Sequence, residues 1–376
     1  MSIEEIKQDF IEFMEEEHGS NPYPRNFFGC LLSIIVEDEP VSQERIMELT
    51  GYSQATISLT IQKIQLLMPL RILKIPGDRK NYYSYEGPQM KFLLDMFQRR
   101  VDVQDIDLNL VESVLRKVEN EPSSRKIDRF RKYLNTLHLL LSSIHTIRGA
   151  GLEPFKRFLE SGSIEESQLK DSQLIESGKL ADFLNTLKSV SYDSALSIDD
   201  ERVSANFLSL KKEYLSGLKS NLNPLYSQAI ANHLMVIHDV FIEGRTTQNR
   251  IEKVTKLPRS TISEILAAGE RVGQIQVTRA TGSKIKQYAP AISITELMLA
   301  YFNRVTEYEL RIRRRLREFK QATTKLGSRT KATRRFLDFL RELDGVYAFA
   351  EKYTRSMNVE LVLLLRERYE QGFEFI

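Results

Sequence analysis

Residues Gln43-Glu44-Arg45-Ile46-Met47-Glu48-Leu49-Thr50-Gly51-Tyr52-Ser53-Gln54-Ala55-Thr56-Ile57-Ser58 decide the fold, because their pattern returns 205 positions on without a gap. The second occurrence is Gln248-Asn249-Arg250-Ile251-Glu252-Lys253-Val254-Thr255-Lys256-Leu257-Pro258-Arg259-Ser260-Thr261-Ile262-Ser263. The same offset sets Gly77 on Gly282, Arg79 on Lys284 and Tyr83 on Tyr288. The identities are sparse but periodic, and we read them as a tandem duplication. Two copies of one pattern control for each other. Shared residues report on the fold, and divergent ones mark where function has room to specialise.

Working outward, Ser42 is placed to cap a short helix that Gly51 ends, and Ser53 caps the next, with Ile57, Ile61, Ile64 and Met68 facing inward until Pro69. The period then changes. Arg71–Ile75 and Asn81–Tyr85 read as strands about the turn Pro76-Gly77-Asp78. Upstream, residues 3–17 form an amphipathic helix (Ile3, Ile6, Phe10, Phe13, Met14), broken by Asn21-Pro22-Tyr23-Pro24 before an apolar helix from Asn26 to Val36. The second copy gives helices at 230–241, 247–255 and 258–269. Its strands, near 275–278 and 285–288, flank the turn Ala280-Thr281-Gly282-Ser283. Pro258 suits a helix start, where its missing amide hydrogen costs nothing. Helix, helix, turn, helix and hairpin, twice over, is the winged helix-turn-helix.

A helical extension follows each hairpin, with Phe130, Tyr133, Leu134, Leu137, His138 and Leu141 on one stripe of the first and Phe336, Phe339, Leu340 and Val346 on the second. Ser124-Arg125 and Ser328-Arg329 hint that the extension is duplicated too. The fold class is therefore mainly α, two winged-helix domains with long helical extensions arranged as a pseudo-dimer. Residues 1–148 form the first domain, 149–205 a helical linker with Gly149, Gly151, Gly162 and Gly178 as breaks, and 206–376 the second domain. The 376 residues suit two or three domains, and 41% hydrophobic with 28% charged residues is ordinary globular composition. One cysteine, Cys30, sits in an apolar run and reads as a buried thiol, which fits a reducing, cytoplasmic compartment. The acidic N-terminus is no signal peptide, and apolar runs near ten residues are too short for a membrane span.

The net charge of +3 permits a nucleic-acid partner without demanding one, since clustering matters more than the total. A recognition helix offers its polar positions to base edges in the major groove. Here the outward set is Ser53, Gln54, Thr56, Thr60 and Lys63 in the first copy and Arg259, Ser260, Thr261 and Glu264 in the second. Gln54 can bridge adenine's two edge groups, and Arg259 suits guanine. Arg79 and Lys80, with Lys284 and Lys286, put cations at or beside both hairpin tips, where they can enter a narrow minor groove or neutralise a phosphate. The bland alternative is a solvated helix face and solubilising turn lysines, as in a winged helix that binds protein or coats DNA without sequence preference.

The run Gln43–Ser58, followed by Pro76-Gly77-Asp78-Arg79-Lys80, resembles the MarR superfamily of winged-helix transcriptional regulators, particularly its GbsR-like branch. The likeness is clear over residues 25–100, weaker over 230–300, and only in outline for the extensions. It implies a DNA-binding regulator in which Ser53, Gln54, Thr56 and Ser58 (and Ser263, the counterpart of Ser58) read DNA while Asp78-Arg79 lies on the wing. Three features depart from the family. Leu59 and Glu264 stand where many relatives carry a basic residue, the second hairpin lacks the Asp-Arg pair, and one polypeptide supplies both copies. Such dimers set two recognition helices ~34 Å apart over a palindrome. A covalent tandem, acting as a monomeric pseudo-dimer or within a homodimer, could serve an asymmetric site on double-stranded DNA.

The densest charge lies elsewhere. Arg311, Arg313, Arg314, Arg315, Arg317 and Lys320 crowd one helix whose seam is Val305, Tyr308, Ile312, Leu316 and Phe319. Three readings stay open: a solvated face, a phosphate-tracking patch, or a partner for the acidic segment Asp102–Asp107 and Glu112. Enzymatic readings are poor. The five histidines form no ligand set, Thr281-Gly282-Ser283-Lys284 lacks the upstream glycine of a phosphate-binding loop, and no catalytic pair is nominated by spacing, so neither cofactor nor metal is expected.

Overall fold

The computed structural model describes residues 2–18, 26–37, 39–85, 91–161, 205–222, 228–279, 284–327 and 330–373. The expected break at Asn21-Pro22-Tyr23-Pro24, most of the expected linker with Gly162 and Gly178, the turn at Ala280–Ser283 and the pair Ser328-Arg329 lie outside them. The chain is mainly helical with two small antiparallel sheets.

The first set of elements is α1 (Ile3–His18), α2 (Phe27–Ile35), β1 (Val41–Ser42), α3 (Gln43–Thr50), α4 (Gln54–Leu67), β2 (Leu70–Lys74) and β3 (Asn81–Tyr85). Two long helices follow, α5 (Lys91–Glu119) and α6 (Arg125–Ser161). The second set is α7 (Ala205–Leu222), α8 (Gln228–Glu243), α9 (Gln248–Thr255), α10 (Arg259–Arg271), β4 (Ile275–Arg279) and β5 (Lys286–Pro290), followed by α11 (Ile294–Lys325) and α12 (Lys331–Glu370). The starts of α3 and α9, α4 and α10, β2 and β4, and β3 and β5 are each 205 residues apart. So are the strand contacts. Val41 faces Tyr83 across β1 and β3, and Thr246 faces Tyr288 with two hydrogen bonds of 2.9 Å. β3 is central in the order β1-β3-β2, with Tyr83 also opposite Ile72.

One sequence expectation is corrected here. α6 runs unbroken through Gly149 and Gly151, which had read as breaks. At Gly151 the missing side chain serves close approach instead, since a Cβ would run into the Tyr353 ring. Helix hydrogen bonding tolerates an interior glycine at a cost of ~1 kcal/mol.

The chain forms two compact units that interleave in sequence. The first draws on Met1–Arg99, Gly151–Leu169 and Val305–Thr354. The uncharged helix α2 is buried along its whole length there. Phe10 of α1 is fully buried and meets Phe319, Phe336 and Phe339 edge-on at 5.6, 5.7 and 5.8 Å, the favoured geometry for aromatic rings. The first hairpin-bearing set thus completes its core with the helices that follow the second hairpin. Cys30 is buried on α2, and desolvation pushes its thiol up to about 12, with Glu15 adding to the shift.

The second unit draws on Arg100–Ala150, Lys170–Arg304 and Arg355–Ile376. Its core sets Phe130 of α6 against Phe207 and Tyr214 of α7 at 5.9 and 6.2 Å. The Tyr133 and Tyr214 hydroxyls lie 2.5 and 2.8 Å from His238 Nδ1. Burial holds that imidazole down to about 4, so it sits neutral among the tyrosines. Arg129 donates to the carbonyls of Phe241 and Ile242, each at 3.2 Å, where α8 ends at Gly244 in a left-handed conformation (φ +71). Lys211 is buried between Asp239, 2.9 Å away, and Glu243.

Candidate nucleic-acid interface

The α3–α4 turn is built from side chain to backbone. Thr50 Oγ1 donates to Ile46 O (2.7 Å) and accepts from Tyr52 N (3.2 Å), while Gly51 takes φ +71. In the α9–α10 turn Thr255 Oγ1 donates to Ile251 O (2.8 Å) and accepts from Leu257 N (3.4 Å). Lys256 holds the left-handed position there, at φ +58. One threonine in each turn therefore sets the angle at which the following helix leaves. Its hydroxyl replaces backbone bonds that the helix end cannot make.

Ser53 caps α4, its Oγ accepting from Thr56 N at 3.2 Å and sharing a hydrogen bond with Thr56 Oγ1 at 2.9 Å. Both hydroxyls are therefore already engaged with the helix start. Pro258 occupies the equivalent cap of α10 without a side-chain bond. Gln54 is exposed and reaches Gln43 Oε1 at 3.4 Å, while Gln43 Nε2 donates to the Tyr83 hydroxyl at 3.1 Å. Its counterpart Gln248 donates to Arg259 O at 2.7 Å.

Along α4, Lys63 is exposed and Ser58 half-buried. Thr60, expected on the outward face, is only 5% exposed and donates to Thr56 O, so it belongs to the inner side of the helix. On α10, Arg259, Ser260, Ser263 and Glu264 are exposed and Thr261 is half-buried. Leu59, at the position where many MarR relatives carry a basic residue, is 61% exposed; Leu66 and Ile72, which the sequence reading passed over, are 81% and 44% exposed.

The first hairpin tip is braced by a carboxylate. Asp78 N donates to Ile75 O at 3.0 Å around Pro76 and Gly77, whose φ of +85 is what a type II turn demands. Asp78 Oδ1 accepts from Lys80 N (2.9 Å) and Oδ2 from the Tyr82 hydroxyl (2.7 Å), and these bonds, the Lys80 amide foremost, hold the carboxyl below its usual range. Arg79 stands exposed beside that brace. Lys80 is exposed but paired with Glu44 of α3, which raises the ammonium and ties the hairpin back to the turn. On the second hairpin Lys284 and Lys286 are exposed, and Arg279, which the sequence reading missed, lies opposite Lys286.

The arginine-rich stretch of α11 is largely committed to carboxylates. Arg313 pairs with Glu351 and lies 3.5 Å from Asp344, Lys320 lies 2.7 Å from Asp344, and Arg311 lies 2.9 Å from Glu17. Arg315 pairs with Glu318 and sits over the Phe319 ring at 4.7 Å, while Arg314 and Arg317 are exposed. In the acidic segment, Asp105 and Glu112 meet His145 (2.8 Å) and His138 (3.1 Å), one heptad apart on antiparallel helices. Asp107 accepts from Asn221 at 3.2 Å. Both histidines therefore face carboxylates across the α5–α6 pair.

Among the described residues no group of three or more His, Cys, Asp or Glu is placed to hold a metal ion, and no helix is long and apolar enough to cross a membrane. No family model and no curated protein matches the chain. Among solved structures, one described as "Crystal Structure of a transcriptional regulator" is similar over 40% of this chain and 99% of its own, at 21% identity and a TM-score of 0.29.

Proposed function

We propose that this chain is a DNA-binding transcription regulator of the MarR-like winged-helix type, duplicated in tandem, whose two non-identical halves contact duplex DNA through α4 and α10 and through the hairpins that follow them. The observation that carries this reading is the repeated turn. In both copies the same threonine hydrogen bonds and a left-handed residue at the same position aim a helix whose N-terminal side chains are exposed. A hairpin with exposed cations follows each of them. Neutralising phosphates with Arg79, Lys284 and Lys286 supplies sequence-independent affinity, and the helix faces supply discrimination. One chain provides both halves, and no catalytic role or cofactor is assigned to either.

A second reading has its own observation. Leu59 and Leu66, seven residues apart on one side of α4, are exposed, as apolar residues of a protein-contact surface would be. Titrating salt against selected and random duplexes separates the two. The regulator binds its selected sequence roughly a thousandfold or more tighter than random DNA. Equal affinities with one salt slope would overturn the regulator reading. In the same assay Arg259→Ala should relax base preference, whereas Arg79→Ala should weaken all duplexes alike.

A further inference from the structure

The exposed faces of α4 and α10 differ in a chemically ordered way. Gln54 and Leu59 of the first copy stand, residue for residue, where Arg259 and Glu264 stand in the second, and all four are exposed. The residue after Gln54 and Arg259 is small in each case, and Ser58 and Ser263 agree, so the two differences stand out against a common frame.

The two residues of each pair, five apart on their helix, match the edge chemistry of one type of base pair. In the major groove adenine presents an acceptor and a donor, which a glutamine amide answers with its own donor and acceptor, and thymine presents a methyl group, which a leucine answers by apolar contact. Guanine presents two acceptors, suited to a guanidinium, and cytosine presents an amino donor, suited to a carboxylate. Leu59 is 61% exposed where the second copy tolerates a carboxylate, so no core requirement explains its apolar side chain. Gln54 is steered by Gln43, itself held on the Tyr83 hydroxyl, which favours one amide orientation. No carboxylate occurs anywhere in α4, whereas α10 carries Glu264 and Glu270, and a carboxylate among phosphates is tolerable where a base amino group receives it. Lys63 is exposed one helical turn beyond Leu59, where its charge favours a phosphate neighbour.

The geometry points to a divided code: the first copy reads A·T pairs through Gln54 and Leu59, and the second reads G·C pairs through Arg259 and Glu264. This rests on the DNA-binding reading above and deepens it to the kind of sequence each half takes.

Selection of random duplexes on the intact chain tests it. The expected result is an asymmetric motif with one A·T-rich and one G·C-rich half. Replacing thymine by uracil in the A·T half removes only the methyl group and should weaken binding about fourfold per methyl contacted, a loss that Leu59→Ala should no longer show. The double variant Gln54→Arg, Leu59→Glu should convert the A·T half into a G·C half, and exposure of both positions lets the fold accept it. A motif unchanged by the double variant, or an equal uracil penalty in the parent and Leu59→Ala, would overturn the divided code while leaving DNA binding intact. Failure to enrich any motif would instead remove the regulator reading on which it stands.

Discussion

Replacing Phe10 by alanine tests whether the first unit is assembled from both ends of the chain. The ring is fully buried and touches three other phenylalanines edge-on, all from α11 and α12. A buried Phe→Ala change costs ~3–5 kcal/mol with the lost ring contacts included, so a loss of about 4 kcal/mol is expected. With two compact units, one global unfolding energy is not well defined, and hydrogen exchange resolved by segment is the better assay. Protection should fall about a thousandfold in α1 and also in Leu316–Leu343, more than 300 residues away in sequence. The α6–α8 core around Phe130 and Tyr214 should be unaffected. A double-mutant cycle with Phe336→Ala should return a coupling above ~0.5 kcal/mol. Loss of protection confined to α1 and α2, or a coupling near zero, would refute this account of the core.

The two turns and the buried acids and bases yield further tests. Lys256→Gly relieves a left-handed residue worth ~1–2 kcal/mol of strain, less ~0.5–1 kcal/mol of backbone entropy, so hydrogen exchange in α9 and α10 should show a net gain approaching 1 kcal/mol. Gly51→Ala should show a loss of similar size. A Cβ there would meet nothing within 4 Å, so the cost is conformational alone. Acidification sets two buried groups against each other. His238, at about 4 in the fold, takes a proton far more readily when unfolded, so its share of stability is present above about 6.5 and falls by about 2 kcal/mol between pH 7 and 5. Burial raises Asp107 to about 6, so the fold binds its proton first and regains about 1 kcal/mol over the same range. Asp107→Asn should therefore steepen the acid loss in melts at pH 7, 6 and 5, and a shallower profile would contradict the assignment.

Much of the local structure was legible because it depends on neighbours in sequence. Ser42 and Ser53 cap as expected, Gly51 ends its helix in the left-handed conformation, and Pro76-Gly77 turns the first hairpin. These outcomes turn on one to four residues and on backbone sterics, which composition specifies. The outward face was read less well. Thr60 and Leu59 are adjacent, and a helical period alone does not say which of them the long-range core will cover. The arginine-rich helix was legible as charge but not as pairing, because Asp344 and Glu351 are reached only through the fold of α11 against α12.

By itself, then, the sequence determined the elements and their repetition. The period of apolar residues, the caps and the 205-residue echo are local or self-referential signals. Only the tertiary structure decided that each hairpin-bearing set completes its core with the helices following the other hairpin, as Phe10 does with Phe336 and Tyr214 with Tyr133. An amphipathic stripe states that a face must be buried. Which of two similar faces buries it is settled by shape complementarity and chain connectivity, and neither can be read from a hydrophobic pattern.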